Sequence, residues 1–324
     1  YRRTNTEEAV GTYPKVLTAD YESNSNYIVT VVKGDFAIKT AFIEDAELAA
    51  AGGSWTYDGA AHAATAKLMN APGYTIYYKA GNGEWSTVAP NVTNVSEGLV
   101  TVSVKATKTG YEDLTTDDVT LQITPKTATI TVDNAEKFFD EEDPAFTGTV
   151  TDLVNESDLG TVSYKRTNAE EAVGIYKEVL TAEFTANSNY NVIVQKGDFQ
   201  IKTAAITGAA LTAAGGSWVY DGNAHRAEAI VENADGYTIY YKTEGGAWST
   251  EVPSVTNVSD GKVTVSVMAV KTGYEDLNTE DVTLEITPRE ATIVVDDAEK
   301  FFDEKDPVFT GTKNNLVKEE DLGT

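Results

Sequence analysis

Apolar and polar residues alternate with period two along much of the chain. Val100, Val102, Val104 and Ala106 are separated by Thr101, Ser103 and Lys105. Val119, Leu121 and Ile123 alternate with Thr120, Gln122 and Thr124, and Tyr74, Ile76 and Tyr78 with Thr75, Tyr77 and Lys79. This period predicts strands with one buried and one wet face. Turn signals punctuate them: Lys33-Gly34-Asp35, Asp58-Gly59, Gly81-Asn82-Gly83 and Glu97-Gly98. No stretch sustains a 3.6-residue period. Single helical turns are expected only near Ser157 to Leu159 and near Glu170 to Val173. Short strands with frequent turns predict an all-β chain of β-sandwich modules.

The pattern repeats. Tyr1 aligns with Tyr164, and an offset of 163 residues then holds without a gap to Thr161 and Thr324, with about two-thirds of the pairs identical. Trp55 to His62 (WTYDGAAH) returns as Trp218 to His225 (WVYDGNAH), and Glu136 to Thr149 returns with two changes. The unit is too long for a solenoid repeat and long enough for two small domains. One seam falls at Ile123-Thr124-Pro125-Lys126, where proline removes a ladder donor and a new alternating run begins. The other follows Phe36 to Thr40 and its equivalent, Phe199 to Thr203. The expected order is therefore a half-module (1–41), module A (42–125), module B (126–204), a second A (205–288) and another half-module (289–324). No Gly/Ser spacer separates them, so a linear array of abutting modules is expected.

Composition narrows the function classes. Against 25 Lys and Arg stand 51 Asp and Glu, a net charge of −26. Nucleic-acid binding is excluded as an expectation, because phosphate contacts need basic clusters. Anionic membrane surfaces should repel the chain, and no apolar run reaches the length of a membrane-spanning helix. With no cysteine there is no disulfide framework, thiolate metal site or cysteine nucleophile. The chain opens at Tyr1 without an initiator Met or signal peptide and reads as a window on a longer one.

Module B resembles the MBG-type repeat of large bacterial surface proteins. Ala128 to Val132, Lys137-Phe138-Phe139-Asp140, Asp143 to Thr147, Val173 to Tyr176, Asn189-Tyr190 and Phe199 to Ile201 carry the resemblance. Phe139-Asp140 stands where that family has Tyr-Gly. Module A is similar to the companion YDG-type repeat through Tyr57-Asp58-Gly59, His62, Gly110-Tyr111 and Ile123 to Pro125. The resemblance implies Ig-like sandwiches strung along adhesins and stalks at the bacterial cell surface. It supplies no catalytic residues.

Residues Tyr1 to Ala41 correspond to the back half of a B module, and Arg289 to Thr324 to the front half. A half-module buries too little surface to offset its chain entropy. Front half followed by back half rebuilds a B module lacking only the equivalents of Val162 and Ser163. The expectation is head-to-tail completion between copies, either within a continuous chain or between subunits, and such a contact propagates into a filament.

Four groups of residues are candidates for chemistry. Asp140, Glu141 and Asp143, with Asp303, Glu304 and Asp306, are candidate Ca²⁺ ligands by oxygen chemistry, although Lys305 sits inside the second set. Asp117, Asp118 and Asp133 are lesser ones. His62 and His225 are isolated and are expected to pack beside Tyr57 and Tyr220. Trp55, Tyr57, Tyr74, Tyr77, Tyr78 and Trp85 recur in the second A module. Tyr77 and Tyr240 point away from the core face and are the candidate sugar-stacking positions, whereas the tryptophans are expected to anchor the core. Lys79, Lys108 and Lys137 are positional candidates for isopeptide cross-links to Asn. No nucleophile–base set, His-Glu-x-x-His or P-loop is present, so no enzyme is expected. The reading is a cofactor-free structural repeat of an extracellular surface fibre or stalk whose partners are its own copies. The alternative is a multivalent binder of host or matrix glycans or proteins.

Overall fold

The computed structural model describes residues 1–323, and its regular structure is β throughout apart from three short 3-10 turns. Residues 1–41 hold β1 (Arg2–Arg3), β2 (Gly11–Thr18) and β3 (Gly34–Ile38), which form one sheet in that order.

Module A follows with β4 (Glu47–Ala51), β5 (Gly53–Thr56), β6 (His62–Ala63), β7 (Thr65–Met69), β8 (Thr75–Ala80), β9 (Asn91–Val92), β10 (Val100–Thr107), β11 (Leu114–Thr115) and β12 (Val119–Thr124). A five-stranded sheet is built on β10, which pairs with β8, β11 and β12; β5 joins β12 in parallel. The β4–β7 and β6–β9 pairs complete the module. The alternation of β10 and β12 is used as the sequence predicts: Val102, Val104, Ala106, Leu121 and Ile123 are buried, and Leu48, Ala64 and Val92 pack into the same core.

Module B contains β13 (Lys126–Val132), β14 (Ala135–Phe138), β15 (Gly148–Thr151), β16 (Ser163–Arg166), β17 (Gly174–Glu183), β18 (Tyr190–Gln195) and β19 (Gly197–Lys202). Its two sheets run β15-β13-β18 and β14-β19-β17-β16. The second A module repeats the first strand for strand: β20 (Ala210–Ala214), β21 (Gly216–Val219), β22 (His225–Arg226), β23 (Glu228–Glu232), β24 (Thr238–Thr243), β25 (Ser254–Val255), β26 (Val263–Val270), β27 (Leu277–Asn278) and β28 (Val282–Thr287). Beyond it lies the antiparallel pair β29 (Thr292–Val295) and β30 (Gly311–Asn314). The chain is thus all-β, a tandem series of Ig-like β-sandwich modules.

Contacts divide the chain into two compact units. One comprises residues 1–133, 146–165 and 180–197; the other comprises 134–145, 166–179 and 198 onward. The first is centred on the core of the first A module, and the second on that of its repeat.

The helical expectations are met only in part. Glu156 to Leu159 closes a hydrogen-bonded turn, and its repeat, Glu319–Leu322, is a 3-10 turn. Glu170 to Val173 is irregular instead. Two of its carbonyls are taken by side chains, Arg166 donating to Glu170 O (3.1 Å) and Tyr176 to Ala172 O (2.6 Å). The 3-10 turns at Val95–Glu97 and Val258–Asp260 were not expected. Glu97 caps the first by accepting the N–H groups of Thr93 and Asn94, which hold its carboxyl below the ordinary range.

Candidate functional site

In segment 126–204 the front and back halves meet along two parallel strand pairs. β13 runs beside β18 from Lys126↔Tyr190 to Thr131↔Gln195. β14 runs beside β19 from Ala135↔Phe199 to Phe138↔Lys202. Residues 1–41 and 289–324 align with the back and front halves of this segment at the 163-residue offset, and the strands they form differ from it in a regular way. Residues 27–32, equivalent to β18, form no strand, and Ile28 is 100% exposed. Residues 298–301, equivalent to β14, form none either, and Phe302 is 98% exposed. Both missing strands are those whose ladder neighbour belongs to the opposite half. Extended backbone needs that neighbour, because its N–H and C=O groups are otherwise left to water.

The first half-module has a cleft of about 680 Å³ lined by Tyr1, Arg3, Leu17, Tyr21 and Val29 to Val32, with other residues around them. In module B the equivalent side chains Tyr164, Phe184, Val192 and Val194 pack on the core that holds Ala128 and Ile130 of the front half. The matching front-half residue at the other end, Ile293, is 56% exposed.

A four-charge cluster also unites the halves of B. Lys137 lies on β14 and Asp143 in the turn after it; Arg166 ends β16 and Glu171 lies in the loop to β17. Lys137 Nζ is 2.9 Å from Asp143 Oδ1 and 2.5 Å from Glu171 Oε2, and it donates to Glu141 O at 2.9 Å. Arg166 Nε is 3.1 Å from Asp143 Oδ2, a second Arg166 nitrogen pairs with Glu171, and the guanidinium lies 4.7 Å over the Phe199 ring. The Lys137 side chain is 5% exposed. Burial alone lowers an ammonium pKa, but the hydrogen bonds to Glu171 and Asp143 outweigh it, so Lys137 is held above its ordinary value. Hydrogen bonds from Lys137 and then Arg166 hold Glu171 below the usual carboxylate range.

This cluster is the feature the sequence reading missed. Asp143 was grouped there with its acidic neighbours, whereas it binds two cations. The available signal was that all four residues recur at the ends, as Lys300, Asp306, Arg3 and Glu8. The other Ca²⁺ candidates are dispersed. Asp140 accepts from the Tyr274 hydroxyl at 3.2 Å, and Glu141 accepts the Phe138 N–H at 3.0 Å. Asp306 pairs with Lys300, and Asp303 and Glu304 are exposed. Among the described residues no group of three or more His, Cys, Asp or Glu side chains converges.

The aromatic candidates largely cover one another. His62 stacks on Trp55 at 4.7 Å and 16°, and His225 on Trp218 at 4.6 Å and 18°. The imidazoles therefore pack on the tryptophans, not beside Tyr57 and Tyr220. The reason is Asp58 (and Asp221), which turns the chain by accepting the Ala60 N–H and also binds His62 Nε2 at 3.0 Å. Asp221 is held at about 2 by the Asn223 backbone and side chain, with His225 adding to the effect. Trp55 and Trp218 are half-buried. Trp85 is exposed, but Lys79 and Lys105 lie 5.3 and 4.7 Å from its ring centroid; Lys242 lies over Trp248 at 5.2 Å. Tyr74 and Tyr78 are buried as expected, while Tyr77 and Tyr240 are half-buried. Lys108 donates to Pro72 O and sits 4.0 Å over Tyr111, so its amine is engaged without an Asn.

The seams carry specific contacts. At Pro125-Lys126, the buried Asn189 accepts the Val95 N–H (2.8 Å) and donates to Asn94 Oδ1 (2.9 Å), while its carbonyl accepts the Lys126 N–H. Beside it Tyr190, 7% exposed, accepts the Val154 N–H at 2.7 Å and donates to Asp158 at 2.5 Å. Burial, followed by the Asp158 hydrogen bond, pushes the Tyr190 hydroxyl up to about 12. A raised acid pKa means that the folded state holds the proton more tightly. The stabilisation is complete below pH 10 and is lost as pH rises toward 12. Tyr190→Phe is expected to cost about 1–3 kcal/mol at neutral pH, from the orphaned Val154 N–H. It should also flatten the loss of stability above pH 10 in urea titrations run as a pH series.

Residues 128–200 match the family model of the MBG domain (YGX type). The match begins inside β13 and ends inside β19, so it spans both halves of the four-charge cluster. Within the matched segment Asp140 has φ +68, a conformation glycine adopts freely. No curated protein matches the chain. Among solved structures, the chain is similar to extracellular domains 3-5 of Drosophila OTK (10% identity, TM-score 0.24, covering 78% of this chain and 100% of that one). It is also similar to the Clostridium thermocellum CbhA fibronectin(III)-like modules (10%, 0.20, 74% and 94%) and to the tandem Ig repeats of Dlar (9%, 0.19, 75% and 98%). No helix among the described residues is long and apolar enough to cross a membrane.

Proposed function

We propose that the chain is a structural repeat segment of an extracellular bacterial surface fibre or adhesin stalk, with YDG-like and MBG-type modules in alternation. Its half-module segments, 1–41 and 289–324, are completed head to tail by the opposite half of a B module, either along a continuous chain or between copies. The observation that carries this reading is the register of module B: front and back halves meet along two parallel ladders, and at the chain ends the strands of those ladders that lack their neighbour fail to form. Transposed by the 163-residue offset, Thr129↔Ile193 becomes Thr292 of one copy against Thr30 of the next. The fibre role asks for no cofactor and no catalytic group. It also accounts for the charge of −26, which keeps neighbouring fibres apart. Glycan binding by the A modules has less support, because His and Lys side chains already cover the tryptophan faces.

The chain has no cysteine, so a double variant Thr30→Cys with Thr292→Cys carries the only thiols. Adjacent strands lie about 4.8 Å apart, within disulfide reach. Mild oxidation is expected to give a ladder of covalent oligomers that collapses on reduction, while each single variant stops at dimer. A double variant that stays monomeric at high protein concentration overturns the reading.

A further inference from the structure

In module A, β5 is an edge strand of four residues whose only ladder neighbour is β12. A ladder that short, on one side only, is a weak hold. We propose that the Trp55 to His62 segment is a latch: it locks β5 onto β12, so that the module yields as one piece when the chain is pulled. Trp218 to His225 does the same in the second A module.

The latch is built from side chains on one side and backbone on the other. The Trp55 ring lies over Gly53, where a Cβ would come within 2.6 Å of it. His62 stacks on that ring, and its Nε2 lies 3.0 and 3.1 Å from the two Asp58 oxygens. Asp58 accepts the Ala60 N–H, which fixes the turn between β5 and β6. On the β12 side, Thr124 Oγ1 donates to Trp55 O at 3.2 Å, and the Tyr57 N–H donates to Thr124 O at 2.9 Å. Just ahead of β5, a Cβ on Gly52 would lie 2.1 Å from Thr120 O, so the backbone runs directly against β12 there. The second module repeats these contacts. A Cβ on Gly216 would come within 2.7 Å of the Trp218 ring, and one on Gly215 within 2.2 Å of Thr283 O. His225 Nε2 lies 3.1 Å from Asp221, and Thr287 Oγ1 donates to Trp218 O at 3.1 Å.

The direction of the strands makes this hold matter under load. β5 and β12 are parallel, in register from Gly53↔Leu121 to Thr56↔Thr124. A pull enters the module ahead of β5 and leaves it after β12, at opposite ends of their ladder. The evenly spaced bonds of the parallel pair are then sheared together. An antiparallel pair would be loaded from one end and would open bond by bond. Shear resists only while β5 stays seated, and the latch keeps it there. This is a property of one A module, independent of head-to-tail completion.

Hydrogen exchange and single-molecule pulling on the full chain test the latch. His62→Ala removes a ring stack and a hydrogen bond to a carboxylate. It should speed exchange of the Tyr57 N–H roughly tenfold and leave the amides of the β8–β10 ladder unchanged. In pulling, each A module should give one event that releases roughly 300 Å of chain. His62→Ala should lower the force of one such event and leave the other as reference, since forced unfolding follows the unfolding barrier. His62→Phe keeps the stack and should restore most of both losses. Ser54→Cys with Gln122→Cys places thiols on a facing pair of β5 and β12. Oxidised, it should shorten the event of the first A module and cancel the effect of His62→Ala. That rescue is also the readout should His62→Ala alone prevent the module from folding. Equal acceleration in the β8–β10 ladder, an unchanged force, or no rescue by the oxidised pair would each overturn the latch.

Discussion

Leu121→Ala and Leu284→Ala are each expected to destabilise their own A module by about 2–5 kcal/mol, with little effect on the other copy. Both leucines are 0% exposed. Leu121 sits in the middle of its sheet, opposite Val100 on one side and Gly53 on the other, and Leu284 sits likewise between Val263 and Gly216. A strand held on both edges cannot close over a cavity, so the cost should fall toward the upper part of the range. The two leucines belong to separate core clusters. The double variant should therefore be additive within about 0.5 kcal/mol. Differential scanning calorimetry reads this directly: Leu121→Ala should move one transition and Leu284→Ala another. A single transition moved equally by either change would mean that the copies unfold as one body.

Strand positions were legible in the sequence because period two is a local signal. The alternation of Val102, Val104 and Ala106 marks the buried face of β10, and that of Leu121 and Ile123 the buried face of β12. Tyr74 and Tyr78 followed the same rule, though Ile76 between them is only half-buried. Partnerships between distant residues were not legible. Asp143 lies in an acidic run, and composition alone made it a candidate metal ligand. Its partners Lys137 and Arg166 are brought to it by a turn and by a strand that begins twenty residues later. His62 was placed beside the nearest tyrosine, but the Asp58 turn swings it onto Trp55. Glu170 to Val173 has helix-compatible residues, yet Arg166 and Tyr176 take the carbonyls a helical turn would use. The 163-residue offset supplied the most distant information of all: it aligns the two end segments with opposite halves of segment 126–204. Only the register of module B says which strand of one half lies beside which strand of the other.

Gly273→Ala should be the most damaging single methyl at a seam, and Gly110→Ala its measure. Both glycines have φ +85, so an L side chain pays about 1–2 kcal/mol of backbone strain at either position. The surroundings differ. A Cβ on Gly273 would lie 2.4 Å from the Phe139 ring, whereas on Gly110 it would meet nothing within 4 Å. That ring is held in place by Tyr274, which it meets edge-on and whose hydroxyl donates to Asp140. Moving it would cost about a further 1–3 kcal/mol. Chemical denaturation should thus show Gly273→Ala losing clearly more stability than Gly110→Ala. The Ala204 N–H, bonded to Gly273 O at 3.0 Å, should exchange faster in the first variant. Adding Phe139→Ala to Gly273→Ala removes the obstacle and should bring its added loss below that of Phe139→Ala alone. Equal losses from the two glycine variants would mean that the ring yields freely and that this seam is held by backbone hydrogen bonds alone.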